Sequence, residues 1–388
     1  MGRKGLAIVG ASPAGLAAAI VAAKGGAEVT LLEAKPQIGI PPSPAILGYD
    51  SLWPKQFDRP AHTTRRRLKG TKVRDLQGKG FFLNAPLTIF DRTRFDPYLA
   101  AEAEKAGARI ITGVKGLEAL PDRTLVAEGL ELKPEVLLFA DGARTQATRF
   151  IPSTRDPNAV QWGAALEFEA PEDATNEWLY MTAGSHAPGG RSQLTPLGNN
   201  RWSHWTFFRG NPAGAEAAAR RAFALDVRLM GWSLPEARFT GVGPDPLYTL
   251  PGKLVGEGVM AAGGAAGQGG LEVGLEAGAL AGEVAARVLR GEGRLEEYEE
   301  RWNKKFNGFY ERLRSSNDMM IRLTDEETSA LMAAWDGKHL GGKWALFRLL
   351  SNPRGVLAFR HARRITKDRP TPELTLEPQA PVPVAKDA

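Results

Sequence analysis

A turn of small residues followed by an acid gives the clearest chemical spacing in the chain. The acid is Glu33, which stands 23 positions after Gly10, the first residue of the turn. A glycine turn that opens a helix presents backbone N–H groups to a phosphate or pyrophosphate. A carboxylate about 20 residues further on accepts hydrogen bonds from a ribose hydroxyl and repels a ribose 2′-phosphate. The spacing therefore indicates a site for a dinucleotide that has no ribose 2′-phosphate, which excludes NADP. The turn consists of Gly10, Ala11, Ser12, Pro13, Ala14 and Gly15.

The elements around this turn form a predicted strand–helix–strand unit. Residues 5–9 and 29–32 are short apolar runs typical of buried parallel strands, and residues 16–24 form an alanine-rich helix. Ser12 occupies the second glycine position of the fingerprint, where its hydroxyl could bond a phosphate oxygen. The alternative is an ordinary strand–helix–strand unit with no ligand.

Two later segments have the same strand-then-turn character. Residues 134–142 form a predicted buried strand that ends at Asp141 and Gly142, and residues 258–262 form another strand, followed by a helix over 271–289. The start of that helix is predicted to point at another part of the same ligand. Close helix–sheet packing without ligand is the alternative. The glycines of this second cluster are Gly263, Gly264, Gly267, Gly269, Gly270, Gly274, Gly278 and Gly282.

Composition narrows the class of protein. The chain has 388 residues, 43% of them hydrophobic and 24% charged, with 44 glycines and no cysteine. Collagen, coiled coil and wholesale disorder are excluded, as are a disulfide scaffold, a thiolate zinc site and a cysteine nucleophile. The five histidines have neither metal nor triad spacing, so no metal site is predicted and each is expected to be structural or exposed. Glu272 and Glu276 are expected on a solvated helix face, with proximity to the ligand as the alternative.

Charge gives no reason to expect a nucleic-acid partner. The net charge is +6, and a solvated surface is the simplest interpretation of this value. The densest basic run, Arg65 to Arg67 with Lys69, is too short for a nucleic-acid arm. The apolar stretch from Leu6 to Ala23 is interrupted by glycine, serine and proline, so no spanning helix is predicted. A cytoplasmic location follows, and peripheral membrane contact stays open.

Taken in order, these blocks resemble the FAD-dependent oxidoreductases of the geranylgeranyl reductase type, which are related to flavoprotein hydroxylases with a glutathione-reductase-like FAD domain. The resemblance spans most of residues 5–340, and its most specific part is the first fingerprint. The matching segments are GASPAG (10–15), LLEAKPQIG (31–39), RTRFDPYLAAEAEKAGA (92–108), LLFADGA (137–143), GEGVMAAGGAAG (256–267), LEEYEERWNKKF (295–306) and LTDEETSALMAAW (323–335).

The resemblance implies an α/β fold. A discontinuous Rossmann-like FAD-binding domain with a parallel sheet would comprise residues 1–155 and 251–295, with 40–90 partly facing a substrate domain. That antiparallel-sheet domain would comprise residues 156–250, with its tryptophans either over the flavin or in the core. Residues 296–368 would form a small C-terminal helical region, and the proline-rich residues 369–388 a disordered tail.

The resemblance also implies roles for individual residues. Glu33, followed by Ala34, would bind the adenosine ribose, and Arg92 would lie near the cofactor. Asp141 and Gly142 match a motif that supports FAD and is associated with nicotinamide use. The pyrophosphate would be flanked by Gly10, Ser12, Pro13, Ala14 and Gly15, and the ribityl chain and flavin by Gly263, Gly264, Gly269 and Gly270.

This chain departs from the family at three points. Gly264 stands where an aspartate usually holds a ribityl hydroxyl, which removes one hydrogen bond worth about 1 kcal/mol. The loop after Gly267 is shorter than usual. Pro41-Pro42-Ser43-Pro44 stands where many members have a cysteine.

The activity implied is reduction of C=C bonds in an apolar, isoprenoid-type small molecule by hydride from reduced flavin. The alternatives are a flavin-dependent hydroxylase and a non-catalytic binding protein on a decayed flavoprotein scaffold. Because no second dinucleotide fingerprint exists in the sequence, transiently bound NAD(P)H or a protein donor would supply electrons. The basic, apolar segment 344–365 would either pack as a helix or rest on an acidic membrane surface.

Overall fold

A computed structural model describes residues 5–40, 45–151, 161–171, 174, 177–187, 189–209, 214–245, 252–341 and 351–370. Two predicted boundaries, 155/156 and 250/251, lie outside the described residues, as do the proline-rich loop 41–44 and the tail from residue 371. The division into domains therefore stays a prediction. No helix of the described part is both long and apolar enough to cross a membrane.

The described residues contain seven α-helices and twenty strands, which form mixed α/β architecture. The helices are α1 (Pro13–Lys24), α2 (Arg92–Lys105), α3 (Ala215–Leu229), α4 (Leu271–Leu289), α5 (Glu296–Arg322), α6 (Asp325–Trp335) and α7 (Pro353–Thr366). The first ten strands are β1 (Leu6–Val9), β2 (Val29–Leu32), β3 (Ala45–Tyr49), β4 (Thr64–Leu68), β5 (Gly70–Arg74), β6 (Gly80–Leu83), β7 (Leu87–Asp91), β8 (Arg109–Ile111), β9 (Glu118–Ala119) and β10 (Leu125–Ala127). The others are β11 (Leu130–Leu132), β12 (Val136–Phe139), β13 (Gln161–Glu169), β14 (Trp178–Ala183), β15 (Arg191–Gly198), β16 (Arg201–Arg209), β17 (Ala237–Asp245), β18 (Val255–Gly256), β19 (Val259–Ala261) and β20 (His339–Leu340).

A six-stranded sheet carries the predicted dinucleotide site. Its order is β18-β19-β12-β1-β2-β8, and every pair in it is parallel except β18 with β19. All four residues of β1 and of β12 are buried, as expected of central parallel strands that have both faces covered. The predicted strands and the helices α1 and α4 are confirmed, and the carboxyl ends of β1, β12 and β19 meet at one edge.

The glycines in the body of α4 serve contact between helices. A Cβ atom at Gly278 would overlap the carbonyl oxygen of Ala14, and one at Gly282 would overlap that of Ala18. Both alanines belong to α1, whose small residues complete the close approach. The partner of these two glycines is therefore a helix, and not the sheet that the alternative interpretation of the sequence named.

Substitution on α4 should separate the glycines that need this contact from those that do not. Gly278→Ala should destabilise the protein by about 1–3 kcal/mol, because its methyl group would overlap the Ala14 backbone. At Gly274 the nearest atom to an added Cβ is 4.0 Å away, so Gly274→Ala should be neutral or stabilising by up to about 1 kcal/mol. Urea unfolding of the two variants checks this, and equal destabilisation by both would contradict the packing described here.

A second, eight-stranded sheet has the order β17-β13-β16-β15-β14-β5-β6-β20. Two of its strands, β5 and β6, come from residues 70–83, and β14 pairs with β5 in parallel. A tight hairpin connects two of its strands: Asn199 and Asn200 join β15 to β16 with φ values of 50° and 53°. Trp202 is buried beneath α3, and its ring centre lies 5.1 Å from that of Trp232 in an edge-on contact. Of the two positions predicted for the tryptophans, over the flavin or in the core, Trp202 is in the core.

A buried polar network fastens α3 to this sheet. Asp226 of α3 receives hydrogen bonds from Arg74 at 3.1 Å and from Ser192, and His204 lies 2.9 Å from it. Burial opposes ionisation of Asp226, but His204, His186 and Arg74 together hold its pKa well below the usual range. Burial lowers the pKa of His186, which contacts Ser192 at 2.6 Å. These two histidines are thus structural, as the sequence indicated.

The basic run at residues 65–69 is used inside the fold. On β4, Arg65 pairs with Asp91 at 3.2 Å and Arg67 pairs with Asp50 at 2.6 Å. Lys69 pairs with Glu177 at 2.7 Å. These ion pairs link the basic run to neighbouring segments of the chain.

Candidate functional site

The first glycine turn is the point at which three elements touch. Gly10 has a φ of +100°, and an added Cβ would lie 2.6 Å from the carbonyl oxygen of Ala140, just past β12. A Cβ at Gly15 would overlap the carbonyl oxygen of Gly10. Both positions therefore require glycine, because the end of β1 lies against β12 on one side and against α1 on the other.

Ser12 and Pro13 begin α1 in the manner expected of a capped helix. Ser12 is the N-cap, and its Oγ accepts the Gly15 N–H at 3.3 Å. Pro13 occupies the first helical position, where a missing N–H costs nothing. The serine hydroxyl keeps its proton as a donor, and Ala14 belongs to the turn whose N–H groups lack helical partners. This end of α1 can therefore bind an anion.

Glu33 stands directly after β2, facing the glycine turn. Its Oε2 accepts the N–H of Ala11 and its Oε1 accepts the N–H of Lys35, both at 2.8 Å. An ionised carboxylate offers about four acceptor sites, so two remain for ribose hydroxyls. Ala34 is exposed beside it. The predicted ribose-binding residue Glu33 thus lies next to the predicted pyrophosphate-binding turn.

Arg92 starts α2, and its guanidinium is bound by Asp96 one turn later. Arg92 Nη2 lies 2.8 Å from Asp96 Oδ2. The pKa of Asp96 is raised, mainly by burial and to a smaller extent by the negative charge of Glu33. The positive charges of Arg92 and Lys35 oppose this rise. Arg92 therefore lies in the neighbourhood of Glu33 and already has a carboxylate partner.

The second glycine loop closes onto the first turn. Gly263 has a φ of +64°, and a Cβ there would lie 2.8 Å from that of Ala14. A Cβ at Gly264 would lie 3.3 Å from the Cα of Gly142, the residue that follows Asp141. Around Gly142 itself, with a φ of +82°, no atom lies within 4 Å of the Cβ position. The backbone there forms an open cradle.

Taken together, the donors of α1, the spare acceptors of Glu33 and the cradle at Gly142 fit an extended dinucleotide such as FAD. Asp141 is engaged within the protein, since its Oδ2 accepts the Gln146 N–H at 3.1 Å. All fourteen predicted residues lie in the described part of the chain, and the structure brings together those of the glycine turn, Asp141-Gly142 and Gly263-Gly264. Gly269 and Gly270 end the second loop, directly before α4.

Residues missed at the level of sequence hold the second loop in place. The Gly263 N–H donates to Gln268 Oε1 at 2.8 Å, and Gln268 Nε2 donates to Tyr298 Oη at 3.1 Å. Tyr298 donates to the Ala261 carbonyl at 3.0 Å, and Tyr310 donates to the Gly269 carbonyl at 2.8 Å. The signal that could have revealed this support is the aromatic repeat every four residues along α5, formed by Tyr298, Trp302, Phe306 and Tyr310.

Glu272, in the first turn of α4, is 3% exposed, so the expectation of a solvated position is wrong for it. The cover comes from β3, because a Cβ at Gly48 would lie 3.5 Å from Glu272 Oε2. Glu276, one turn on, pairs with Lys305 of α5. The two glutamates share a helix face, but only the second reaches solvent.

The environment of Glu272 favours its neutral form. Burial raises the pKa of Glu272 to about 7. Hydrogen bonds from its own backbone N–H and from that of Tyr49 lower the pKa and offset part of this effect. Oε2 is buried without a hydrogen-bond partner among the described residues. A carboxyl group at the end of the glycine loop is therefore poised to exchange a proton near neutral pH.

Replacing this acid should change how stability depends on pH. The folded pKa lies above the unfolded value near 4.5, so the native state binds the extra proton and loses stability as pH rises from about 4.5 to 7. Relative to Glu272→Gln, the wild type should lose on the order of 3 kcal/mol between pH 5 and pH 8. Urea unfolding across this range measures the difference. Glu276→Gln is the control, and equal slopes for wild type and Glu272→Gln would disprove the shift.

A cavity of about 680 Å³ lies between the antiparallel sheet and helices α5 to α7. At one wall Arg191 donates to Asn317 Oδ1, and its guanidinium lies 4.3 Å from the ring centre of Phe207. Asn317 Nδ2 is buried without a partner among the described residues. The rest of the lining is largely apolar, and includes Val73, Phe81, Met181, Ala183, Met320 and Met332.

Helix α5 connects this cavity to the glycine loop. Tyr310 contacts Gly269, and Leu313 lines the cavity three residues later. Three residues of α-helix span about 4.5 Å. The apolar cavity therefore begins about one helical turn from the end of the predicted dinucleotide site.

Comparison with known proteins agrees with this geometry. A family described as NAD(P)-binding Rossmann-like domain matches residues 8–76. The digeranylgeranylglycerophospholipid reductase 1 of Methanothermobacter thermautotrophicus is 29% identical over 286 residues, which cover 67% of this chain and 70% of that protein. The digeranylgeranylglycerophospholipid reductase of Methanothrix thermoacetophila is 26% identical over 390 residues, which cover 91% and 98%.

Solved structures show the same fold. A geranylgeranyl bacteriochlorophyll reductase-like protein from Thermoplasma acidophilum superposes with a TM-score of 0.73 at 16% identity, covering 93% of this chain and 100% of that one. A flavoprotein/dehydrogenase from Cytophaga hutchinsonii gives 0.62 at 16% identity, covering 94% and 99%. The fold is that of Rossmann-type flavoproteins. Among the proteins with this fold, the chain is similar to FAD-dependent oxidoreductases of the geranylgeranyl reductase type.

Proposed function

We propose that this protein reduces C=C bonds in an isoprenoid lipid, with FAD as the redox group. The observation that carries the proposal is the apolar cavity at the far end of α5 from the glycine loop. An apolar lining with a few polar groups is typical of sites for small apolar ligands. The relatives named for reduction of digeranylgeranylglycerophospholipid support the same substrate class.

The cofactor would lie along the edge where β1, β12 and β19 end. Glu33 would bind the adenosine ribose, with Ala34 beside it and Arg92 nearby. The pyrophosphate would lie on the start of α1 at Gly10, Ser12, Pro13, Ala14 and Gly15. The ribityl chain and flavin would follow Asp141, Gly142, Gly263, Gly264, Gly269 and Gly270.

The division of work follows from these positions. When bound, reduced FAD supplies a hydride equivalent to the substrate. The protein orients both partners, and the apolar cavity wall excludes water from the substrate. NAD(P)H that binds transiently would reduce the flavin, since the chain has no second dinucleotide fingerprint. Residues 1–155 and 251–295 would form the FAD-binding domain and residues 156–250 the substrate domain.

Binding of FAD depends on the carboxylate at the end of β2. Glu33→Gln should weaken FAD binding about 10- to 100-fold, because hydrogen bonds to a charged acceptor contribute about 1.5–3 kcal/mol. Titration of apoprotein with FAD, followed by flavin absorbance, measures the change. Glu28→Gln is the control, since Glu28 is exposed before β2. A wild type that binds no FAD would refute the cofactor assignment.

The reaction itself separates the proposal from its alternatives. FAD-loaded protein, reduced with dithionite without oxygen, should convert a polyprenyl lipid to a product two hydrogens heavier per C=C bond. Mass spectrometry that instead finds an added oxygen atom in air would establish the hydroxylase. Reduced, bound flavin that is oxidised neither by the polyprenyl lipid nor by oxygen would indicate a non-catalytic binding protein.

We further propose that α7 rests on an anionic lipid surface. Leu357 is 63% exposed and Phe359 is 38% exposed, on a helix that is rich in arginine. Phe359 and Arg360 also line the cavity, so lipid could pass from the surface to the site. The preceding residues 342–350 lie outside the described part of the chain. The basic members of this surface are Arg354, Arg360, Arg363, Arg364 and Lys367.

Vesicle sedimentation tests this contact. The wild type should sediment with vesicles that contain phosphatidylglycerol at low salt, and less with neutral vesicles or at high salt. The double variant Leu357→Ser, Phe359→Ser should lose most of this binding, because it removes the inserted apolar groups. Leu234→Ser is the control, since Leu234 is 62% exposed elsewhere. Failure of the wild type to bind anionic vesicles would remove the proposal.

A further inference from the structure

We propose that Glu272 donates the proton that completes C=C reduction, in place of any thiol. The proposal rests on the proposed reductase function. It assigns to this side chain a role in the reaction that neither the glycine loops nor Glu33 can fill, because their part is to hold the cofactor.

The position of Glu272 follows from the path of the dinucleotide. From Glu33 the site passes the start of α1, then Gly142 and Gly263, and reaches the end of the second loop at Gly270. A Cβ at Gly270 would lie 3.9 Å from Glu272 Oε1. The carboxyl group therefore stands at the opposite end of the site from the adenosine ribose, where the reactive ring of an extended FAD would lie.

The nearest neighbours of the buried carboxyl group include two glycines. It lies between Gly270 on the loop and Gly48 on β3, and neither residue has a side chain beyond the backbone. The same Cβ position of Gly48 lies 3.2 Å from Trp53 and 3.4 Å from Phe90, so both rings border the pocket that holds Oε2. The surroundings are apolar, and Oε2 has no competing hydrogen bond in the described residues. An incoming alkene would meet a neutral acid with an available proton.

Other acids near this position are already committed. Asp50, directly after β3, is paired with Arg59 at 2.5 Å and with Arg67. Glu276 is paired with Lys305 on α5. The only ionisable side chain of α1 is Lys24, at its far end. Tyr49 is the titratable neighbour on β3, and its N–H contributes to holding the carboxyl group.

The proton balance of the step is complete. One carbon of the C=C bond receives a hydride, which reduced FAD supplies, and the other carbon receives a proton. The O–H bond at Glu272 Oε2 breaks as the new C–H bond forms, and the carboxylate regains a proton from water. The lipid is reduced by two electrons, and oxidation of NAD(P)H restores the reduced flavin. The pKa near 7 keeps a large fraction of Glu272 protonated at neutral pH.

Single-turnover reduction of a polyprenyl lipid by pre-reduced, FAD-loaded protein tests the role. The wild-type rate should fall as pH rises above about 7. Glu272→Gln should be slower by about 100-fold or more and should lose this pH dependence. Glu272→Asp should recover part of the rate, and Glu276→Gln should behave as the wild type.

A spectral titration provides a readout that does not depend on turnover. Between pH 5 and pH 9 the absorbance of oxidised, bound FAD should shift in the wild type with a midpoint near 7, and this shift should be absent in Glu272→Gln. A wild-type spectrum with no such transition, or a Glu272→Gln variant with wild-type rates and pH profile, would overturn the proposal while the reductase function stands. A wild type that binds FAD but reduces no C=C bond would overturn both.

Discussion

The contact of α1 with the second glycine loop and α4 is the constraint on which the rest of the site depends. The backbone carbonyl groups of Ala14 and Ala18 touch α4 where only hydrogen atoms fit, at Gly278 and Gly282. Because α1 also begins at the first glycine turn, this contact fixes the distance between the two halves of the predicted cofactor site. A dinucleotide can bridge the two loops only if that distance is held, so packing far from any ligand sets the binding geometry.

The local part of this arrangement could be predicted from sequence. The run from β1 through α1 to Glu33 is determined by neighbours within about thirty residues: an apolar strand, a glycine turn, an alanine-rich helix and an acid. The structure places these elements as expected. The asparagine turn between β15 and β16 is equally local, because two residues in the left-handed region determine a hairpin.

Long-range contacts could not be predicted in this way. Glu272 and Glu276 are the same residue type and lie one turn apart on α4. Strand β3, more than 220 residues earlier in the chain, covers Glu272 and not Glu276. Arg92 carried no sign that Asp96 would bind it, because an i,i+4 pair is equally consistent with a solvated helix. Gln268 became recognisable as a support of the loop only once Tyr298 was placed beside it.

The path of the chain between the two sheets has a consequence for how such a protein can be recombined. Strands β5 and β6 leave the region of the parallel sheet, join the antiparallel sheet next to β14, and return through β7. The eight-stranded sheet is therefore assembled from two separate stretches of chain, with β20 as a third. Exchange of a single contiguous segment with a relative would give a sheet in which strands from two different proteins must pair. Evolution or engineering of a new substrate pocket on this scaffold must proceed by substitution in place, or by transfer of at least two segments together.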